Sequence, residues 1–309
     1  MKRLAACPAL LTVFALAVLS APHALAAIGD LHITSDASDQ VRQYNPITGT
    51  YQTVFTTTSG ASGELGIHYG TNNNRVLVGH WSGGVEEFDA TTGAYIKTYN
   101  AGGGTQWAGL YGPTGGVYIG DWSTNDVREF DATTGAFIRV VCSVTTPSDM
   151  RLAPGNQLFI GSYTGTYVMQ VQAVTGAFMG LWSTPPGSRP NDIALMPSGE
   201  ILVTCMGTNA VHRYSNPGFV LLGSFGSPGW VNPHGIEISP HDGRIYVVEG
   251  AAGQVHVFDP VTFAELNAAW LTPPPGDKIV DLEFRPAGDP TPAATPSWGQ
   301  VKRIYRGGK

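Results

Sequence analysis

Charge, sulfur and long apolar runs are all scarce in this chain. Charged residues make up 13% of 309, about half the usual share of a soluble domain. That leaves little material for long solvated helices laced with ion pairs. Acidic residues outnumber basic ones, 23 to 17, which argues against nucleic acid or an anionic membrane surface as a partner. Of three cysteines, Cys7 precedes the first apolar run, and only Cys142 and Cys205 lie further on. One pair is no disulfide scaffold, and these two fall in different repeat units, so no bond is expected. Beyond the first residues no apolar stretch is long enough to span a membrane. The signatures H-E-x-x-H, G-x-S-x-G, the P-loop and C-x-x-C are missing, and Gly102–Gly104 lacks the spacing of a dinucleotide fingerprint.

The two ends are unlike the rest. Lys2 and Arg3 precede an apolar run from Leu10 to Leu19, and Ala24-Leu25-Ala26 supplies small residues for cleavage. Residues 1–26 thus read as a secretory leader, and the protein is expected to be periplasmic or extracellular. Residues 286–297 are rich in Pro, Ala and Thr and read as a linker. In residues 298–309, Trp298, Val301, Ile304 and Tyr305 are at helical spacing opposite Lys302, Arg303 and Arg306. Docking on the acidic body, attachment at the cell surface and a loose end are all open for this basic tail.

Glycine (40) and proline (22) are plentiful, as in chains built from short strands and turns. The residues between the ends repeat. VEEFDATTGAYIKTY starts at Val85 and VREFDATTGAFIRVV at Val127, and related segments start at Val41, Val168, Val211 and Val255. A steady period of about 43 residues marks a solenoid or a propeller. Each segment alternates apolar and polar residues, so it reads as a strand. A second apolar run precedes it (VLVG, VYIG, LFIG, IYVV), and before most of those comes a third (IALMP, IEISP). Each unit then has four short antiparallel strands, the content of a propeller blade.

The N-terminus lacks a first strand, while IVDLEF at 279–284 is an orphan first strand at the C-terminal end. The expected fold of residues 27–285 is an all-β, six-bladed β-propeller with four antiparallel strands per blade. Its ring is closed by N- and C-terminal strands in one blade, which leaves no open sheet edge there. A monomer is expected. In the D-A-T-T-G turns, Asp89 and Asp131 are expected to accept backbone N–H bonds and Gly93 and Gly135 to take positive φ. The carboxylates lack calcium-loop spacing.

PSDMRLAPGNQLFIGSY and PHGIEISPHDGRIYVVE resemble secreted bacterial NHL-type propellers. The resemblance covers about residues 28–285 and implies fold more than function.

A site is expected where repeats diverge. First strands line the channel of a propeller, and their entry residues read as one column: Glu64, Trp107, Asp149, Asp192 with Asn191, His234 and Asp281. Second strands run back, so their last residues, Ser35, His80, Asp121, Ser162, Cys205 and Glu249, are expected on the same face. Glu64, His80, Trp107, Asp121, Trp122, Asp149 and Asp192 are candidate ligand-binding residues. Two readings stand for the ring: a ligand or cation site, or polar groups that hold water and neighbouring amides. Trp81, Trp122 and Tyr163 share a column just past the second strand, either as a stacking platform on the channel face or as packing between blades.

SRPNDIALMPSGE (188–200) is similar to the R-P-N-D segment of the regucalcin/gluconolactonase family. That resemblance implies a divalent metal, calcium first, on Asn191, His234 and Asp281, with Asp281 catalytic. His234 stands where the family has Asn, and Gln106 or Trp107 stands where it has a metal-binding Glu. A looser similarity to propeller lyases rests on His234 and Glu249, and makes Glu249 a second catalytic candidate. The leading expectation is a secreted non-catalytic propeller that binds a small molecule, glycan or peptide on its channel face. The alternative is a metal-dependent hydrolase, lactonase or lyase at the channel mouth.

Overall fold

The computed structural model describes residues 29–286 apart from 60–62, 72, 101 and 103. The expected leader, the tail and all but the first residue of the linker lie outside these residues. Every regular element described is a strand. Among the described residues no helix is long and apolar enough to cross a membrane.

The chain begins with β1 (Leu31–Ser35), β2 (Gln40–Tyr44) and β3 (Tyr51–Thr57). Four strands follow, β4 (Glu64–Tyr69), β5 (Arg75–His80), β6 (Val85–Asp89) and β7 (Tyr95–Tyr99). The next four are β8 (Gln106–Tyr111), β9 (Gly116–Asp121), β10 (Asp126–Asp131) and β11 (Phe137–Ser143). Then come β12 (Pro147–Ala153), β13 (Gln157–Ser162), β14 (Tyr167–Gln172) and β15 (Phe178–Ser183). β16 (Pro190–Leu195), β17 (Ile201–Cys205), β18 (Ala210–Tyr214) and β19 (Leu221–Phe225) form a further set. The chain ends with β20 (Pro233–Ile238), β21 (Ile245–Glu249), β22 (Gln254–Phe258), β23 (Glu265–Leu271) and β24 (Ile279–Phe284).

Pairing is antiparallel throughout. Four sheets have four strands each, and one of them runs β24-β1-β2-β3, so both ends of the chain share a sheet as expected. β4 to β11 form one eight-stranded sheet, joined by a single pairing of His80 with Gln106. The innermost strands touch in a closed circuit, β24, β4, β8, β12, β16, β20 and back to β24. This is a β-propeller around a central channel.

Its core is divided among the seams between neighbouring sheets. Leu31, Tyr44 and Leu282 pack with Tyr246, Val248 and Val257 at the closing seam. Val41 and Phe55 meet Ile67, Val76 and Phe88 at the next. Both faces of a middle strand are therefore buried, as in β5 and β9. That is why VLVG and VYIG read as continuous apolar runs.

The repeated turn does what its residues dictate. Asp131 Oδ1 accepts the N–H groups of Thr133 (2.9 Å) and Thr134 (2.6 Å), and Asp89 does the same for Thr91 and Thr92. Gly93 has φ +69°, and a Cβ there would lie 2.1 Å from the carbonyl oxygen of Phe55 on the neighbouring sheet. Cys142 and Cys205 are unpaired.

Candidate functional site

Register places the site. In five innermost strands the pairing to the next strand skips two residues, between Glu64 and Ile67, Gln106 and Gly109, Pro147 and Met150, Pro190 and Ile193, and Pro233 and Ile236. β24 skips the equivalent pair, between Ile279 and Leu282. Each skip is a bulge that bends the strand. It frees Leu65–Gly66, Trp107–Ala108, Ser148–Asp149, Asn191–Asp192, His234–Gly235 and Val280–Asp281 from the ladder.

The column read from the sequence therefore divides into three. Glu64 starts its strand, opposite His80. Trp107, Asn191 and His234 are the first freed residues. Asp149, Asp192 and Asp281 are the second and lie one step deeper in the channel. Because of the bulge, residues at one sequence spacing reach the channel mouth at different offsets in different units.

The mouth holds a cavity of about 530 Å³. One column just past the second strand contributes Asp36, Trp81, Trp122, Tyr163, Met206 and Gly250. The first freed residues contribute Leu65, Trp107, His234 and Val280, and Asn232, Lys278 and Ile279 complete the lining. Trp107 and Trp122 stack, with centroids 5.0 Å apart and planes 14° apart. Tyr163 leans on both, at 5.9 Å and 5.0 Å. Trp81 stands nearly upright to Trp122, 5.7 Å away at 67°. The rings form an aromatic corner on one side of the mouth. Trp81 is half exposed while Trp107 is 4% exposed, so Trp81 meets solvent and Trp107 is the backing. The Trp122 indole N–H donates to the Pro147 carbonyl oxygen at 2.7 Å, which fixes its ring.

Polar groups share the lining: Asp36, Asn232, Lys278 and His234, whose ring lies parallel to Trp107 at 6.4 Å. Burial lowers the His234 pKa to about 4, so its imidazole is neutral at physiological pH. Leu65, Trp107, Ala108 and Val280 form an apolar floor.

Below the floor the channel is crossed by charge. His68 Nε2 lies 2.6 Å from Asp149 Oδ1, and its Nδ1 lies 3.1 Å from Glu283. Arg151 pairs with Glu237 at 2.8 Å and approaches Asp192 and Glu283 at 4.0 Å. Burial opposes charge on His68, but Asp149 and Glu283 outweigh it and raise its pKa well above the ordinary value. Asp149 is brought to about 2, the charge of His68 overcoming burial. Burial and the nearby Asp149 charge raise Asp192 well above the usual range and Asp281 to about 8. Burial and a neighbouring carboxylate thus favour the protonated form of Asp192 and Asp281 over the charged one.

Asp192 and Asp281 also stitch the ring. Asp192 Oδ2 accepts the Ile236 N–H (2.6 Å) and its Oδ1 accepts the Ile193 N–H. Asp281 Oδ2 accepts the Ile67 N–H (3.0 Å) and its Oδ1 accepts the Leu282 N–H. Each carboxyl joins two innermost strands.

The last residues of the second strands do not line the cavity. Asp121 Oδ1 accepts N–H bonds from Ser123 and Thr124. Glu249 accepts them from Val231 and Ala252. His80, Asp121, Ser35, Ser162 and Cys205 are fully buried. The chain turns after each of them, so the mouth is met one residue later. Neither Glu249 nor Asp281, the two catalytic candidates, reaches the cavity, and both have carboxylate oxygens engaged by backbone N–H groups. Of the suggested metal ligands, His234 is at the mouth, Asp281 lies below the floor, and Asn191 is buried with its Oδ1 unpartnered. Among the described residues no group of three or more His, Cys, Asp or Glu side chains is placed to hold a metal ion.

Asp36, Lys278, Met206 and Asn232 escaped the sequence reading. Met206 was legible, since it shares the column of Trp81, Trp122 and Tyr163. Asn232 and Lys278 precede their strands and carried no repeat signal.

No protein-family model matches this chain, and no curated protein matches it. Solved structures do. One from the crystal structure of the nidogen/laminin complex is 11% identical, covers 82% of this chain and 98% of its own, and has a TM-score of 0.69. The WD40 β-propeller domain of Doa1 is 12% identical over 79% of this chain and 83% of its own, with a TM-score of 0.57. A catalytically inactive virginiamycin B lyase from Staphylococcus aureus with quinupristin is 15% identical over 74% and 78%, with a TM-score of 0.58. The first is named as part of a complex and the third as a lyase. At such identities what they share with this chain is the β-propeller fold.

Proposed function

We propose that this chain is an exported, non-catalytic binding propeller that holds a ring-bearing small ligand, a glycan first, in the cavity at the channel mouth. The carrying observation is the corner made by Trp81, Trp107, Trp122 and Tyr163 in a cavity of about 530 Å³. A sugar presents an apolar C–H face that stacks on an indole, and hydroxyls that need polar partners. Asn232, His234, Asp36 and Lys278 in the same cavity supply those. A peptide with an aromatic or proline side chain uses the same corner. The eight-stranded sheet counts as two blades in this reading, which gives the NHL-like ring six. Export and a monomeric state belong to the same reading. Intrinsic tryptophan fluorescence during titration with glycans is the test, because a ligand stacked on Trp81 must change it.

The hydrolase or lyase reading keeps one supporting observation, a neutral His234 in the cavity. A calcium ion on Asn191, His234 and Asp281 would have to displace two backbone N–H bonds from Asp281. The binding reading asks for no such rearrangement.

A further inference from the structure

The rim of the mouth repeats one backbone contact around the circuit of innermost strands. The residue just before each innermost strand accepts, at its carbonyl oxygen, the N–H of the residue that follows the adjoining second strand, at 2.8 to 3.2 Å. Gly63 accepts from Trp81, Thr105 from Trp122 and Thr146 from Tyr163. These contacts belong to β4, β8 and β12, consecutive in the circuit, so the three aromatic residues form one arc. The next strands, β16, β20 and β24, place Arg189 with Met206, Asn232 with Gly250 and Lys278 with Asp36. Small residues therefore stand beside the rings, and the two basic residues stand on the other arc. Because β24 adjoins β4 and β16 adjoins β12, a cation brackets each end of the aromatic arc.

Both cations are exposed, and neither pairs with a carboxylate among the described residues. Eight other described Lys and Arg side chains reach a carboxylate within 4.0 Å. Arg285 is bonded to Asn74 and Thr91. The Arg189 guanidinium carbon lies 5.7 Å from the centre of the Tyr163 ring, and Lys278 lines the cavity. Asp277, beside Lys278 in sequence, is held by Arg42 at 2.8 Å. Asp36 is the only carboxylate in the described lining. Glu249, behind the rim, is buried with its oxygens on the Val231 and Ala252 N–H groups. His234 is neutral and adds hydrogen bonds without charge. The chain is acidic as a whole, so free positive charge at the rim is a local arrangement.

We propose that the mouth takes an acidic glycan, with sugar rings on the aromatic arc and carboxylates at Lys278 and Arg189. This rests on the reading of the mouth as a glycan site and names the class of glycan. A uronic acid carries its carboxylate at the edge of the ring. Stacked on an indole, such a ring directs the carboxylate sideways, toward the neighbours of the arc. Trp81 has Lys278 as that neighbour, and Tyr163 has Arg189. A chain of such units meets both cations while its rings stay stacked. Each carboxylate gains a charge-assisted hydrogen bond from an ammonium or a guanidinium, whereas a neutral sugar leaves both cations to water.

The test titrates the full chain with oligogalacturonate and with its methyl ester, which keeps the rings and removes the charge. Tryptophan fluorescence reads both. The acid is expected to bind about 5- to 30-fold more tightly than the ester, as one or two exposed charge contacts allow. Lys278→Met and Arg189→Met should each reduce that ratio, and the double variant should abolish it while binding the ester as before. Both side chains are exposed, so the variants are expected to fold. Equal affinity for acid and ester in the native chain overturns the proposal and leaves the mouth reading standing, as does an unchanged ratio in the double variant. Oligoaspartate, an acidic peptide without rings, binding as tightly as oligogalacturonate also overturns it, because charge alone then suffices. If neither acid nor ester binds while neutral glycans do, this proposal alone falls. If no glycan binds, both readings fall.

Discussion

Trp107 and Trp122 lie face to face, 5.0 Å between centroids, although they come from different strands. Trp107 is the first freed residue of β8, and Trp122 follows the end of β9. The bulge in β8 brings them together, because it turns Trp107 out of the ladder toward the turn that carries Trp122. The pair is the wall of the cavity, and Trp81 is the part of it that a ligand meets first.

Trp81 separates binding from folding. It is half exposed and is absent from the buried apolar clusters between sheets. Trp81→Ala is expected to leave the melting temperature within about 3 °C, as exposed substitutions usually do. It should weaken ligand binding about 5- to 30-fold, the loss of about 1–2 kcal/mol of stacking. Thermal unfolding and a binding isotherm on the same sample check this.

Channel charge predicts how stability changes with pH. His68 is raised above its ordinary value, so its contribution is complete below about pH 6.5 and is lost as pH rises through the folded pKa. Asp281 binds its proton more tightly folded than unfolded, up to about pH 8. Stability therefore falls as pH rises between the unfolded carboxylate range and about 8. Both groups act in the same direction above neutrality. Denaturant midpoints at pH 6, 7.5 and 9 should decrease in that order, and Asp281→Asn should flatten the trend. Asp149, held at about 2 by His68 after burial is overcome, acts oppositely at the acid end. Its contribution is present above about pH 4 and disappears as pH falls toward 2.

Closure of the ring is the largest single structural commitment of the termini. Leu282 is 1% exposed in the seam where β24 and β1 meet the last sheet. Leu282→Ala should cost about 2–5 kcal/mol, the price of a core cavity. Hydrogen exchange should show first opening in β1 and β24. An unchanged denaturation midpoint would show that closure carries no stability.

The turn carboxylates are different in kind. Asp131→Ala removes acceptors for two backbone N–H groups and a threonine hydroxyl at a half-buried turn residue. A small drop in melting temperature with unchanged ligand binding is expected. A large loss of binding would relocate the site to the opposite face.

Much of this was legible in the sequence. The near-identity of VEEFDATTGAYIKTY and VREFDATTGAFIRVV exposed the period, and IVDLEF without a following unit exposed the closing strand. Asp89 and Asp131 told their own role, since the turn chemistry is local. The channel was harder. Bulges shift side-chain facing by a residue, and nothing in QWAGLY or PNDIAL announces one. The partner of His68 is Asp149, 81 residues away in the chain, and the two meet only once the innermost strands close into a circuit. The columns at Trp81, Trp122 and Tyr163 were visible because three large aromatics recur at one offset. That they meet Trp107 at a cavity is a property of the closed circuit of strands.

The central claim is that the aromatic corner at the channel mouth is a ligand site. Its most direct test is a glycan array probed with the labelled chain and with Trp81→Ala and Trp122→Ala. Hits are then titrated by tryptophan fluorescence. The account predicts saturable binding that alters the fluorescence of the native chain, and a weaker response in both variants. Hits that bind both variants as tightly as the native chain would contradict it, as would binding with no change in tryptophan emission.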